Sequence, residues 1–246
     1  MSQNKTAIVT GGSRGLGRGV VEALASKGMR VLALARHMDA LTKLTQEVPG
    51  AVAIAGDAAD DRLAEELMRD ESPDLVVLCA GAKPPQLPIH EQTWEGFCTN
   101  WNTDTKSTFI WLRHALRLPM KRGGHVVVVS SGAAVQGSPV SGGYAPAKRA
   151  QWFVADYAAT ESERAALGLR FHCVLPSLNP STELGRSAIA AYAARAGVTP
   201  EEFAKRFGAP LTPAIMGAGI ADLFEQPAKW PQLAYRITGA GLAPLG

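Results

Sequence analysis

The chain has 246 residues, 46% of them hydrophobic, with a formal net charge of +3. That length suits one α/β domain with a substantial core, and so small a charge, spread along the sequence, leaves no basic block for nucleic acid. Cys79, Cys98 and Cys173 stand far apart with no Cys-x-x-Cys spacing, and the five histidines form no ligand-spaced pair, so neither a disulfide frame nor a metal site is expected.

The run MSQNKTAIVTGG enters a strand within a few residues, and no apolar stretch reaches the ~20 residues a bilayer requires, so a cytoplasmic protein without a membrane partner is expected. Apolar residues 7–9 lead into Thr10-Gly11-Gly12-Ser13-Arg14-Gly15-Leu16-Gly17. A helical pattern follows, with Val20, Val21, Leu24 and Ala25 on one face. Strand, glycine turn and helix N-terminus together suit a dinucleotide. Glycines let the main chain approach a pyrophosphate, and free N–H groups with the helix dipole favour its charge. Gly11, Ser13, Arg14, Gly15, Leu16 and Gly17 are the binding candidates in this turn.

A second strand is expected at 30–35 and a polar helix at 38–47. A third strand at 52–55, an acidic helix at 61–70 and a fourth strand at 75–78 follow. A long amphipathic segment spans 91–118, a fifth strand 126–129, a helix 144–165 and a sixth strand 169–175. A Pro- and Ala-rich stretch then precedes a final strand near 233–237. Alternation of this kind predicts a parallel sheet covered by helices on both faces.

Charge bears on the cofactor. An acidic residue about 20 positions beyond the glycine turn ordinarily binds the ribose hydroxyls of NAD, and a nearby arginine accommodates the phosphate of NADP. The second strand ends Leu34-Ala35-Arg36-His37 with no carboxylate at its tip, and Asp39 comes late enough to open the next helix. With Arg14 as a second cation, NADP(H) is favoured.

Tyr144 and Lys148 stand four residues apart in SGGYAPAKRA, on one face of a helix, and Ser131 ends the apolar run HVVVVSS thirteen residues upstream. A phenol ordinarily titrates near ~10, and a fixed cation beside one favours its ionised form, which suits general acid/base transfer. Ser131 is placed to hold the substrate oxygen.

The spacing Thr-Gly-x-x-x-Gly-x-Gly at residues 10–17, the set Ser131, Tyr144 and Lys148, and the chain length together resemble the short-chain dehydrogenase/reductase family from about residue 5 onward. The resemblance implies an α/β fold with a single Rossmann-type, doubly wound parallel sheet and helices on both faces, residues 1–246 forming one dinucleotide-binding and catalytic domain, with a nicotinamide cofactor and interconversion of carbonyls and alcohols. It implies that Lys148 also binds the nicotinamide ribose, and that basic residues at the positions of Arg14 and Arg36 accompany NADP.

Other positions follow from the same resemblance. Asp57 corresponds to a carboxylate at the adenine edge, although a strand-ending turn explains it nearly as well. Leu78-Cys79-Ala80-Gly81 stands where the family shows Asn-Asn-Ala-Gly, so Ala80 and Gly81 match and both asparagines are missing. Pro176-Ser177 stands where Pro-Gly is common, and Thr182, or Ser181 by the same count, corresponds to a hydroxyl contacting the nicotinamide amide. In NWNTDTKSTFIWLRHAL, aligning Phe109, Arg113 and Leu116 puts Asp104 on the position of a catalytic asparagine whose main-chain carbonyl holds a relay water. Asn102 and Asn100 are out of register by two and four residues.

The family covers its substrate with the segment after the sixth strand, here 176–213, with short helices expected in LGRSAIAAYAARAG and EEFAKRFG. Leu184, Ile189, Tyr192 and Phe203 from that segment, with Leu87, Gln136 and Val140 from other loops, are pocket candidates, although such residues at helical spacing also simply pack on a sheet. A hydrophobic ketone or secondary alcohol is the expected substrate, and a homodimer or homotetramer the expected assembly, formed through the helices around 104–118 and 144–165. The alternative is an NADP-binding regulatory or scaffold protein of the same fold, although such members usually lack the tyrosine or lysine retained here.

Overall fold

The computed structural model describes residues 5–117, 120–180 and 182–245. Its strands are β1 (Thr6–Thr10), β2 (Arg30–Ala35), β3 (Ala51–Ala55), β4 (Leu75–Leu78), β5 (His125–Val129), β6 (Arg170–Pro176), β7 (Ala234–Thr238) and β8 (Gly241–Pro244). They form one sheet in the order β3-β2-β1-β4-β5-β6-β7-β8. Neighbours from β3 to β7 pair in parallel, and β8 pairs antiparallel with β7 through Thr238 opposite Gly241. The strand order reverses direction between β1 and β4. Ligands of open α/β sheets bind beyond the carboxyl ends of the strands at such a switch point.

Alternation along each strand divides the core into two layers. Ala7, Val9, Val31, Ala33, Leu75, Val77, Val127 and Val129 face one side, where α1 (Gly15–Ser26), α2 (Met38–Glu47) and the C-terminal helix (Pro213–Glu225) cover them. Ile8, Leu32, Leu34, Val76, Leu78, Val126 and Val128 face the other, under α3 (Asp61–Glu71) and the helices Lys106–Arg117 and Tyr144–Arg164. The sheet is thus doubly wound, as expected from the sequence.

Two expectations need correction, and the amphipathic segment 91–118 resolves into separate parts. It divides into α4 (Trp94–Asn100), a π-helical turn (Trp101–Thr105) and α5 (Lys106–Arg117), and Leu118 lies outside the described residues. After α6 (Ala133–Gln136), α7 (Tyr144–Arg164), α8 (Glu183–Ala196) and α9 (Pro200–Ala204), the Pro- and Ala-rich stretch is a further helix, α10 (Pro213–Glu225), capped by Thr212. α10 lies against α1 so closely that a Cβ on Gly19 would collide with the Pro213 carbonyl, and one on Gly217 with the Gly19 carbonyl. Finally, β8 adds an antiparallel edge strand to a sheet expected to be wholly parallel.

Candidate active site

The glycine turn is built by its neighbours. Gly11 and Gly12 donate from their N–H groups to the Leu34 carbonyl, which ties the turn to the tip of β2. Gly11 has φ of 69°, and a Cβ there would stand 2.9 Å from the Ala80 backbone, so only glycine fits between β1 and the chain leaving β4. The Thr10 hydroxyl, fully buried, accepts from the N–H groups of Cys79 at 3.0 Å and Ala80 at 3.1 Å. That clamp binds the ends of β1 and β4 where the asparagines of the resembling pattern are missing. α3, α4, α8 and α10 have side-chain caps from Asp60, Thr93, Thr182 and Thr212. α1 follows Arg14 with no side-chain cap, as α2, α6 and α7 also lack one, and at α1 it is the glycine turn that leads into the opening N–H groups, an arrangement that suits an anion. These residues fit a dinucleotide phosphate.

Arg36 is exposed just beyond β2. Arg14, also exposed, makes a 3.1 Å ion pair with Glu183 in the first turn of α8. Thr182 caps α8 by accepting from Gly185 N–H and itself donates to the Asn179 carbonyl at 3.1 Å, while its methyl lies beside Gly15. Ser181 lies outside the described residues. The carboxylate of Asp57 turns back to accept from Ala59 N–H at 2.8 Å, as a turn residue does.

The carboxyl end of β5 runs into Ser130 and Ser131, and Lys148 reaches it from α7. Ser130, buried, donates from its hydroxyl to the Lys148 carbonyl at 2.7 Å and so fixes α7 against the strand end. Ser131 is half-buried, and its oxygen accepts from Ala133 N–H, which leaves its own proton for another acceptor. Tyr144, half-buried, opens α7, and one turn later the Lys148 ammonium lies 5.5 Å from the centre of its ring.

Lys148 is buried and donates to the Val129 carbonyl at 3.3 Å. Its ammonium forms a 3.1 Å ion pair with Asp104 Oδ2. Burial is the largest single influence on Lys148 and pulls its pKa down, but the charges and hydrogen bond of Asp104 and the phenol of Tyr144 together raise it above the ordinary lysine value. Cys79 adjoins the pair. Burial pushes its thiol up to about 11, with Lys148 opposing and Asp104 adding to the shift.

Asp104 lies in the π-helical turn, with Asn102 in the same turn and Asn100 closing α4. Its Oδ1 accepts from Ala82 N–H at 2.8 Å and from Asn100 Nδ2 at 3.3 Å. Asn100 also donates to the Ala82 carbonyl. The Thr103 hydroxyl is 2.8 Å from both Asp104 Oδ1 and the Thr99 carbonyl, with one proton to share between them. The main-chain carbonyl of Asp104, to which the resemblance assigns a water, accepts from Gln151 Nε2 at 3.1 Å.

The pocket candidates are dispersed over two walls. Gln136 is exposed at the end of α6, Val140 is buried in the following loop, and Leu184 and Tyr192 are half-buried on α8. The two walls touch where Ser138 and the Tyr192 hydroxyl come within 2.5 Å. Tyr192 stacks on Phe203 with centroids 5.9 Å apart, and Phe203 meets Phe207 at 5.5 Å. Ile189 is buried, and Leu87 stands exposed on the loop after β4. Sequence reading missed Ser130 and Gln151, and it named Thr10 and Asn100 without foreseeing the hydrogen bonds they make. Of these only Thr10 carried a local signal, as the hydroxyl between β1 and its glycines. Among the described residues no group of His, Cys, Asp and Glu could hold a metal, and no helix is long and apolar enough to cross a membrane.

A family model described as short chain dehydrogenase matches residues 5–192. The chain belongs to that family. It is 31% identical over 178 residues to L-fucose dehydrogenase of Mus musculus, covering 70% of this chain and 64% of that one, so it spans somewhat less than two thirds of that relative's length. It is 32% identical over 187 residues to carbonyl reductase [NADPH] 2 of Sus scrofa, covering 74% of each. In three dimensions it superposes on levodione reductase with a TM-score of 0.84, at 19% identity over 97% of both chains.

Proposed function

We propose that the protein is an NADP-dependent reductase that interconverts a carbonyl and a secondary alcohol, acting as a single catalytic domain with a substrate-covering segment at about 176–213. The observation that carries the reading is the set at the end of β5: Lys148 one turn beyond Tyr144, its ammonium 5.5 Å from the ring centre, with Ser131 half-buried beside the strand end. A bound nicotinamide supplies the hydride that such a reaction needs. Tyr144 gives its hydroxyl proton to the oxygen of the substrate as charge develops there, and Ser131 donates a hydrogen bond to the same oxygen. Lys148 favours the phenolate left behind. Donors set in place before charge develops act mainly on the transition state, so they raise turnover more than they tighten ground-state binding. In the oxidative direction the phenolate takes the alcohol proton.

Arg36 and Arg14 at the mouth of the glycine turn, with no carboxylate at the tip of β2, support NADP, as does the likeness to a relative named for NADPH. The stacked Tyr192 and Phe203 support an apolar substrate wall. Retention of tyrosine, lysine and serine together argues against a non-catalytic binding protein. Steady NADPH oxidation against a panel of apolar ketones and sugar carbonyls tests the reading, and no turnover with any member counts for the scaffold alternative.

Phe109 on α5 and Phe153 and Tyr157 on α7 are exposed aromatics on adjoining helices, which supports pairing through these helices into a dimer or tetramer. A monomer by light scattering at micromolar concentration overturns that assembly.

A further inference from the structure

The charge of Lys148 is answered inside the protein. Asp104 and Lys148 are 0% and 7% exposed in their side chains, and the titratable groups that act on the ammonium are Asp104, Tyr144, Cys79 and Cys173. Of these, only Asp104 is an opposite charge in the resting site. The two oxygens of its carboxylate divide their tasks. Oδ1 holds the scaffold through Ala82 N–H, Asn100 and Thr103, while Oδ2 faces the ammonium and packs on Gly81, where a Cβ would stand 2.8 Å away. An asparagine at this position offers the same shape and the same Oδ1 acceptor, but turns an amide toward Lys148 and leaves its charge whole.

We infer that Asp104 is a positioning residue that cancels the charge of Lys148, so that Tyr144 works beside a net-neutral pair and the pH dependence of proton transfer lies further to the alkaline side than an unopposed lysine would set. The inference rests on Tyr144 as the proton donor. A phenolate beside an unopposed ammonium is stabilised by its full field, and at buried separations of several ångströms a unit charge moves such an equilibrium by about one pH unit or more. With the carboxylate in place, the base needed for alcohol oxidation forms only at higher pH, and the acid needed for carbonyl reduction persists to higher pH.

The test is the pH–rate profile of alcohol oxidation in the unmodified protein and in Asp104→Asn, with reduction run alongside. Asp104→Asn is expected to move the half-maximal point of oxidation to lower pH by about one unit or more, and to move the alkaline decline of reduction the same way. A part that is merely structural lowers the rate at every pH and leaves the half-points where they were, and that result overturns the inference. Heteronuclear NMR of the Lys148 side chain supplies a readout without turnover. Lys148 is expected to stay an ammonium beyond the ordinary lysine range near ~10.4 in the unmodified protein and to lose its proton earlier in Asp104→Asn. Deprotonation at or below that range in the unmodified protein overturns the inference, and this arm decides the matter even where Asp104→Asn does not fold. Loss of turnover in Tyr144→Phe together with unmoved Asp104→Asn profiles rejects the charge inference alone. A protein that reduces no carbonyl, yet shows the NMR shift, rejects only the reductase reading.

Discussion

Strand β5 has a buried titratable pair at either end, and the two are handled in opposite ways. At the carboxyl end Lys148 and Asp104 bring unlike charges together, with donors from Ala82 and Asn100 on Oδ1 and the ammonium facing Oδ2. At the amino end the rings of His125 and His172 hydrogen-bond to each other, and His172 Nε2 lies 3.0 Å from the Trp230 carbonyl. A carbonyl only accepts, so His172 carries its proton on Nε2 and its Nδ1 accepts from His125 Nε2–H. Burial, reinforced by His172 and Arg170, pushes His125 down to about 3, and burial also lowers His172 against the pull of the Trp230 carbonyl. A buried group keeps its charge where an opposite charge and hydrogen bonds await it, and stays neutral where its neighbours are like itself. Only the first arrangement puts charge next to the hydroxyl proposed as proton donor.

The sharpest way to break this division is at the carboxyl end. Tyr144→Phe removes the proposed proton donor and nothing else, because Lys148 keeps its contacts to Asp104 and Val129. Turnover is expected to fall about 10²–10⁴-fold, with cofactor affinity close to normal and the urea midpoint unmoved. Turnover within a few-fold of the unmodified protein would show that the reactive set is misassigned.

The amino end is broken by acid. His125 takes a proton in the unfolded chain near the ordinary value of ~6.5, but in the folded chain only near 3, so between those values the unfolded state binds more protons. Its contribution to stability is complete above pH 6.5 and is lost as the pH falls toward 3. At pH 5 the loss is about 2 kcal/mol, read as a lower urea midpoint than at pH 7.5. Phe224, Tyr235 and the Trp230 carbonyl crowd the pair without offering a carboxylate to receive the charge. His125→Gln should flatten this part of the slope while leaving turnover per folded molecule at pH 7.5 as it was. An unchanged slope would place the acid sensitivity elsewhere.

The same contrast explains which parts of the site were legible in the sequence. Thr10 to Gly17, Tyr144, Lys148 and Ser131 could be read because each belongs to a local pattern, a strand meeting glycines or two residues one helical turn apart. The alternating strands were readable for the same reason. α10 was hidden because its glycines and alanines weaken any helical stripe, and what holds it is contact with Gly19 on α1. Even so, Thr212 followed by Pro213 was a start signal in plain view. β8 ends in Pro244, which reads as a turn and is tolerated only at a sheet edge. The break at the π-helical turn has neither glycine nor proline to announce it. Partners such as Ala82 for Asp104, or His172 for His125, are set by strand order and register over long separations. No spacing rule reaches that far.

The smallest expected effects belong to the exposed charges at the glycine turn, where water screens what burial amplifies around Lys148. Arg36 is expected to receive the extra phosphate of NADP, and Arg36→Asp to weaken NADPH roughly tenfold or more while favouring NADH, as charge-assisted contacts to phosphate lead one to expect. Equal affinity of the unmodified protein for both cofactors, by titration of nicotinamide fluorescence, would sink the NADP assignment. Arg14 poses the finer question, because its guanidinium is already paired with Glu183 and both side chains are largely exposed, 78% and 62%. A phosphate has to compete with that carboxylate, so Glu183→Gln should tighten NADPH, but only by a few-fold, since exposed pairs are worth little. The gain should shrink as salt is raised. A gain confined to NADPH and absent with NADH assigns Arg14 to the phosphate, whereas an equal change for both cofactors would mean that Glu183 acts by moving α8 rather than by occupying Arg14.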